Sequence, residues 1–211
     1  GSSHGESRIT RLAVGEGEDY VELAKRSHAI WREIEAESGV EIMTTTSGIL
    51  MDSGTKPWSK HGSEGFWDRT VAYAKKNLIA HEILDPQTLS SRFSAFQLGP
   101  KGKVYLEKEA GILRPELAIQ TQLKLAEENG AEILRNTPVL GLSKNGEFLK
   151  IQIKSKVIQA KKVLLSAGGW IRDFLPEGAK PKFKICRQVL HWLKIDPDFS
   201  SWSDYPVWMW G

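Results

Sequence analysis

Only one of the 211 residues is a cysteine, Cys186. That excludes an internal disulfide framework and a cysteine-based zinc site, and it suits a reducing compartment. No apolar run approaches the ~20 residues that a bilayer-spanning helix needs, and the opening residues do not read as a signal peptide. Neither sign of charge dominates: 29 Lys and Arg against 26 Asp and Glu leave a net +3. The basic residues concentrate only modestly, at 144–162 and 180–187, so a nucleic-acid partner is not indicated. His28, His61, His81 and His191 show no metal-ligand spacing, and no metal site is expected. There is no internal repeat and no low-complexity segment. What remains is an ordinary globular composition, long enough for one large domain or two small ones around a buried core.

Against that background the first eleven residues, GSSHGESRITR, stand out. They hold two glycines, three serines, a histidine and two arginines three positions apart, with Ile9 as the one apolar side chain. Such a segment reads as a loop that does not start a core. Small residues let a backbone approach a flat ligand closely. Arg8 and Arg11 offer fixed positive charge and forked donors suited to a carboxylate or an electron-rich ring. GSSH also opens many expression tags, although no His run follows here. At the other end, Trp192, Trp202, Trp208 and Trp210 crowd the last twenty residues, half of the eight tryptophans. Residues 205–211 (YPVWMWG) read as a strand buried in a sheet. A loop at one end and a strand at the other make a fragment of something longer the expectation.

Between these ends the pattern is mixed α/β. Residues 17–39 read as an amphipathic helix with Tyr20, Leu23, Ala24, Ser27, Ile30, Trp31 and Ile34 on its buried face and Gly39 as C-cap. Strands are expected at 40–43, 47–51, 81–84 and 104–106, and a second helix at 66–78. Asp85 is a natural N-cap and Pro86 a natural first residue for a short helix to about Phe93. Residues 107–109 (EKE) read as a solvated turn. Residues 111–113 lead into a third helix, with Pro115 at its start, Ala118, Ile119, Leu123 and Ala126 as its stripe, and Asn129-Gly130 as its stop. A short buried strand is expected at 131–134. A three-stranded meander follows, at 139–143, 148–153 and 157–160, with Asn145-Gly146 as its first turn. Residues 163–167 (VLLSA) before Gly168-Gly169 read as a parallel strand whose carboxyl end faces a ligand.

In this order, GSSHGESRITR, GILRPELAIQTQLKLAEENGAEIL, VLLSAGGW and RQVLHWLKI resemble the sarcosine oxidase, N-methyltryptophan oxidase and pipecolate oxidase group. These are FAD-dependent amine oxidases of the D-amino-acid-oxidase-like superfamily. The resemblance covers essentially the whole chain and is most specific in the opening segment. It implies part of an FAD-binding Rossmann-like domain with a β-meander (1–39 and 111–178) and part of an antiparallel-sheet substrate domain (40–110 and 179–211). It implies FAD as cofactor, a small amino-acid substrate, a cytoplasmic location (peroxisomal in a eukaryote) and no membrane partner.

Carried over by position, Ser3, His4 and Arg8 would lie beside the flavin ring. His4 and Arg8 would tune its electronics, and Arg11 would bind the substrate carboxylate. Val139 would meet the adenine, and Ser166, Ala167 and Gly168 the phosphates or ribose. The family's G-x-G-x-x-G fingerprint is missing, since Gly15 and Gly17 lack a third glycine and a preceding strand. The lysine of oxygen reaction, the flavin-linking cysteine and a second carboxylate-binding base, which the family carries towards its C-terminus, are missing too. Cys186 lies elsewhere in the pattern. The expectation is therefore a central piece of such an oxidase, inactive alone and self-associating through exposed strand edges. A dehydrogenase of the same superfamily and a cofactor-free remnant stay open as alternatives.

Overall fold

The computed structural model describes residues 3–55, 64–194, 196, 202 and 204–211. The chain divides into two compact units, residues 5–125 with 195–211, and residues 1–4 with 126–194. The architecture is mixed α/β, with antiparallel and mixed sheets.

In the first unit a four-stranded sheet carries the core. Its central strand β3 (Gly48–Asp52) pairs in parallel with β10 (Val207–Trp210) and antiparallel with β5 (Lys103–Glu107), and β4 (His81–Leu84) closes the far side of β5. A strand paired on both edges and covered on both faces reads as a continuous apolar run, and residues 48–51 are all buried. One face sends Leu50 and Tyr105 into a cluster with Phe66, Trp67, Val71 and Ala74 of α2 (Phe66–Lys76). The other sends Ile49, Met51, Val104 and Leu106 against Phe96 and Leu89 of α3 (Pro86–Arg92). The cap on α3 is as expected: the Asp85 carboxylate accepts the Thr88 N–H at 2.8 Å. Helix α2 stops two residues short of expectation, and Leu78 turns left-handed at φ +55° to start the next segment.

The tryptophan-rich end forms a strand, but at the sheet's outer edge and not in its interior. Trp208 and Trp210 are 45% and 49% exposed. Their neighbour Tyr205 is locked in place. Its ring lies 5.5 Å from that of Phe96, and its hydroxyl accepts the Ala95 N–H at 3.1 Å.

A second, three-stranded sheet runs in the order β1 (Arg8–Thr10), β6 (Gly111–Leu113), β2 (Met43–Thr45), antiparallel throughout. Strand β1 lies where a loop was expected, and Leu12 and Ala13 directly after it are buried. The close approach of β2 to β6 requires Gly111, where a Cβ would stand 2.1 Å from the Thr44 carbonyl oxygen. Helix α4 (Pro115–Glu128) follows, starting at Pro115 as expected.

Helix α1 (Asp19–Ser38) closes at Gly39 in the left-handed conformation, φ +70°, with its N–H on the Glu35 carbonyl. The face that packs is only partly the expected one: Ala24, Ser27, Trp31 and Ile34 are half-buried, and Ala24 packs against the core, but the face is rotated towards Val21 and His28. Val21 and His28 are buried, whereas Tyr20 is 54% and Leu23 65% exposed. Polar anchors decide the orientation. Glu35 Oε1 accepts the N–H groups of Ile42 and Met43, both at 2.7 Å, while Arg32 donates to Glu35 Oε2, the Met43 carbonyl and Thr45 Oγ1. Burial alone would raise the Glu35 carboxyl, but the Met43 N–H, Arg32 and the Ile42 N–H together hold it below the usual glutamate range.

The second unit is a single layer. β7 (Val139–Asn145), β8 (Phe148–Ile153) and β9 (Val157–Ala160) form the expected meander, turning at Gly146 with φ +62°. The strands expected at 131–134 and 163–167 are absent, and Leu164 is 89% exposed. A strand exists only where a neighbour answers its peptide groups, and no described strand pairs with these segments. Residues 163–167 instead run as irregular chain into a 3-10 turn, Gly168–Phe174.

Two outcomes are expected. Because the folded carboxyl of Glu35 lies below its unfolded value, the unfolded chain takes up the proton first. Its contribution is present at neutral pH and lost as the pH falls through the folded value. Glu35→Ala should therefore cost about 2 kcal/mol in urea unfolding at pH 7 and much less at pH 3. Limited trypsin digestion should cut first at exposed Lys184 and Arg187, well before any site in β3 or β5. Early cleavage in that sheet would contradict the division.

Candidate active site

Strand β1 sorts its residues by the period of two. Ile9 and, just beyond the strand, Arg11 line a small half-open pocket together with Thr70, Tyr105, Glu107 and Met209. Thr10 points the other way, its hydroxyl 2.6 Å from His28 Nε2 on α1. The cavity measures about 20 Å³, room for one water-sized group. It can therefore be a floor beneath Arg11 but not a chamber for a whole amino acid.

The Arg11 guanidinium is held from several sides. Nη2 donates to both carboxylate oxygens of Glu16, at 2.9 and 2.8 Å, and Nη1 donates to the Ala13 carbonyl at 2.6 Å. The guanidinium carbon stands 5.5 Å from the centre of the Phe66 ring. Gly15 brings this loop against α2, since a Cβ there would meet Thr70 Oγ1 at 2.4 Å and the Phe66 carbonyl at 2.8 Å.

Behind Arg11 lies a carboxylate that the sequence reading placed in a solvated turn. Glu107 is 1% exposed. It accepts the Leu12 N–H at 2.6 Å, the Ala13 N–H at 2.9 Å and the Tyr105 hydroxyl at 2.8 Å. Glu107 is the last residue of β5, two positions from Tyr105, so both side chains lie on the buried face. Burial first, then the charge and hydrogen bond of Glu107, push the Tyr105 hydroxyl far above its ordinary value, so it remains a donor.

The other expected site residues are dispersed. Arg8 is half-buried on β1 and donates to the Ser7 carbonyl at 2.7 Å. Ser3 and His4 are exposed and belong to the second unit. Within that unit Val139 and Ala167 line one open cleft of about 1070 Å³ with Trp170 and Phe174. Gly168 next to it takes φ +53°, with nothing within 4 Å of where a Cβ would stand. Ser166 is exposed beside it and does not line the cleft. No group of metal-binding side chains occurs among the described residues, and no helix among them is long and apolar enough to cross a membrane.

Residues 1–208 match the model of a family described as FAD dependent oxidoreductase. The chain belongs to that family. It is 32% identical over 211 residues to N-methyl-L-tryptophan oxidase of Escherichia coli O81 (strain ED1a), covering 98% of this chain and 53% of that protein. It is 31% identical to monomeric sarcosine oxidase of Arthrobacter sp. (strain TE1826), covering 99% and 52%. The chain thus spans about half the length of the curated relatives it matches. Among solved structures the fold resembles NikD, an amino acid oxidase of nikkomycin biosynthesis, at TM-score 0.68 and 19% identity over 81% of this chain and 42% of that one. It also resembles glycine oxidase from Geobacillus kaustophilus, at 0.56 and 16% over 71% and 40%.

Glu16, Thr10, His28 and Glu107 were all missed as members of this constellation. Only Glu107 carried a readable signal, its i, i+2 spacing from a tyrosine at the end of a strand. Glu107→Gln replaces one acceptor oxygen with an NH2 that faces one of the two N–H groups. It should cost about 2–3 kcal/mol in urea unfolding, more than Glu109→Gln on the exposed turn.

Proposed function

We propose that this chain supplies the substrate-carboxylate anchor and part of the cofactor site of an FAD-dependent oxidase of secondary amino acids, N-methylated or cyclic. The observation that carries the reading is Arg11, a two-pronged carboxylate binder already paired with a carboxylate, set over a cavity in a family whose members include sarcosine and N-methyltryptophan oxidases. Exchange of Glu16 for a substrate carboxylate would keep the charge on Arg11 answered at every stage. Ser3, His4 and Arg8 would lie near the flavin ring, with Arg8 and His4 favouring the negative charge that hydride removal brings. Val139, Ser166, Ala167 and Gly168 would hold the adenosine end. The open cleft at Val139 and Ala167, and the unobstructed backbone at Gly168, fit such a group. Bound FAD supplies a two-electron acceptor.

In the overall reaction a hydride leaves the carbon next to the amine. The resulting imine hydrolyses in water, and the two electrons pass to oxygen to give hydrogen peroxide. A reducing, cytoplasmic setting suits the one exposed thiol, Cys186.

The test is spectroscopic and kinetic. The 211-residue chain, mixed with FAD and desalted, should lose the flavin and release no peroxide from sarcosine. The protein at the length of its relatives should retain flavin and oxidise sarcosine or N-methyltryptophan. In it, Arg11→Gln should lower kcat/KM about 100-fold, chiefly through KM. An unchanged KM would remove Arg11 from the site.

A further inference from the structure

Strand β1 is three residues long and, among the described strands, pairs with β6 along one edge only, in the register Arg8↔Leu113 to Thr10↔Gly111. So short an edge strand does not by itself fix the direction of the side chains it carries. Two contacts lock it just before and just after Arg11. Glu107 holds the peptide N–H groups of Leu12 and Ala13, and on the opposite face His28 meets the Thr10 hydroxyl at 2.6 Å.

His28 is suited to this task. It is 8% exposed and sits near the middle of α1, a 20-residue helix that Glu35 and Arg32 tie to β2. It lies in the wall of an open cleft of about 520 Å³ that Leu12, Lys25, Arg32 and Glu109 also line. Burial lowers its tendency to take a proton. Glu109, on the turn before β6, works against this, and Arg32, one turn along α1, reinforces it. The threonine hydroxyl both donates and accepts, so it can bond either imidazole tautomer.

We propose that His28 is a positioning residue for Arg11, fixing through Thr10 the strand that presents the guanidinium to the cavity. The proposal rests on the reading of Arg11 as the substrate-carboxylate anchor. It assigns a task to two side chains, Thr10 and His28, that neither touch the cavity nor carry a charge for catalysis.

The experiment compares wild type with Thr10→Val, His28→Phe, His28→Gln and Arg11→Gln. Glutamine places an amide close to the position of Nε2, so it can restore the bond that phenylalanine removes. Amide hydrogen exchange on the 211-residue chain is read at Ile9, Arg11 and Leu12, with β3 and β5 as internal controls. Thr10→Val and His28→Phe should each speed exchange at Ile9 to Leu12 roughly fivefold, the cost of one hydrogen bond, and leave the controls alone. His28→Gln should bring the rates back to near wild type, and Thr10→Val with His28→Phe together should do no more than either alone.

Sarcosine binding to the protein at the length of its relatives should weaken by a similar factor in the first two variants and recover in His28→Gln. Unchanged exchange at Ile9 to Leu12, equal acceleration in the controls, or no rescue by glutamine would each overturn the proposal. Sarcosine binding equally well to wild type and Arg11→Gln would instead overturn the reading of Arg11, whatever the exchange pattern.

Discussion

A carboxylate buried as completely as that of Glu107 is tolerable only if donors replace the water it has lost. Here the donors are the N–H groups of Leu12 and Ala13 and the Tyr105 hydroxyl. Two of the three belong to a segment more than ninety residues away in sequence, so satisfying the charge and placing that segment are the same event. Once Leu12 and Ala13 are held on the end of β5, the residue before them has little freedom, and that residue is Arg11. Tyr105 in turn reaches into the cluster of Phe66, Trp67 and Val71, which makes the hydrophobic core and the charged clamp one structure. A perturbation at Glu107 therefore reaches both the packing of the sheet and the aim of the guanidinium.

The two units differ in what holds them. In residues 5–125 both faces of the four-stranded sheet are covered, and the buried clusters on each face share the strand β3. In residues 126–194, Ile153 is the one buried hydrophobic side chain, while Leu140, Leu164, Trp170, Trp192 and Leu193 are more than half exposed. A meander of three strands closes its hydrogen bonds but leaves a face without a second layer, and one layer cannot bury enough apolar surface to offset chain ordering. The second unit is thus the low-stability part of the chain, held by local pairing.

The same contrast explains which features were readable from the sequence. Helix α3 with its Asp85 cap and Pro86, helix α4 from Pro115, and the Asn145-Gly146 turn are fixed by interactions within a few residues, and the pattern carries them. The segment at 163–167 has the composition of a buried parallel strand, but strand formation is settled by a neighbour, and composition cannot supply one. The packed face of α1 was read only in part: Ala24, Ser27, Trp31 and Ile34 pack as their spacing suggests, but Glu35 and Arg32, bonded to Ile42 and the first residue of β2, turn the helix so that Tyr20 and Leu23 face solvent. Glu107 was misread because charge alone suggests solvent, and its donors lie at the other end of the unit. Arg11 stood out by its chemistry and its spacing from Arg8, but its reading as a substrate-carboxylate binder came from the family resemblance. Its partner Glu16 could not, because a loop fixes no spacing rule.

Three consecutive positions after Arg8 show how much a short strand can do when its period is two. Ile9 and Arg11 face the cavity, and Thr10 between them faces α1. The alternation lets the strand be gripped from behind without any anchor intruding on the face that would meet a ligand. The charge on that face is handled just as locally. Glu16 answers Arg11 with both oxygens, so the guanidinium does not stand unpaired over an apolar floor. On the proposed reading of Arg11, an incoming carboxylate would compete with a partner of its own kind, so its affinity would be set by the difference between the two pairings and not by the full strength of either. Selectivity would then fall to the rest of the ligand. A pocket that discriminated in this way would need its arginine held to within a fraction of an ångström, and the contacts of Glu107 on one side and His28 on the other hold the backbone on either side of Arg11.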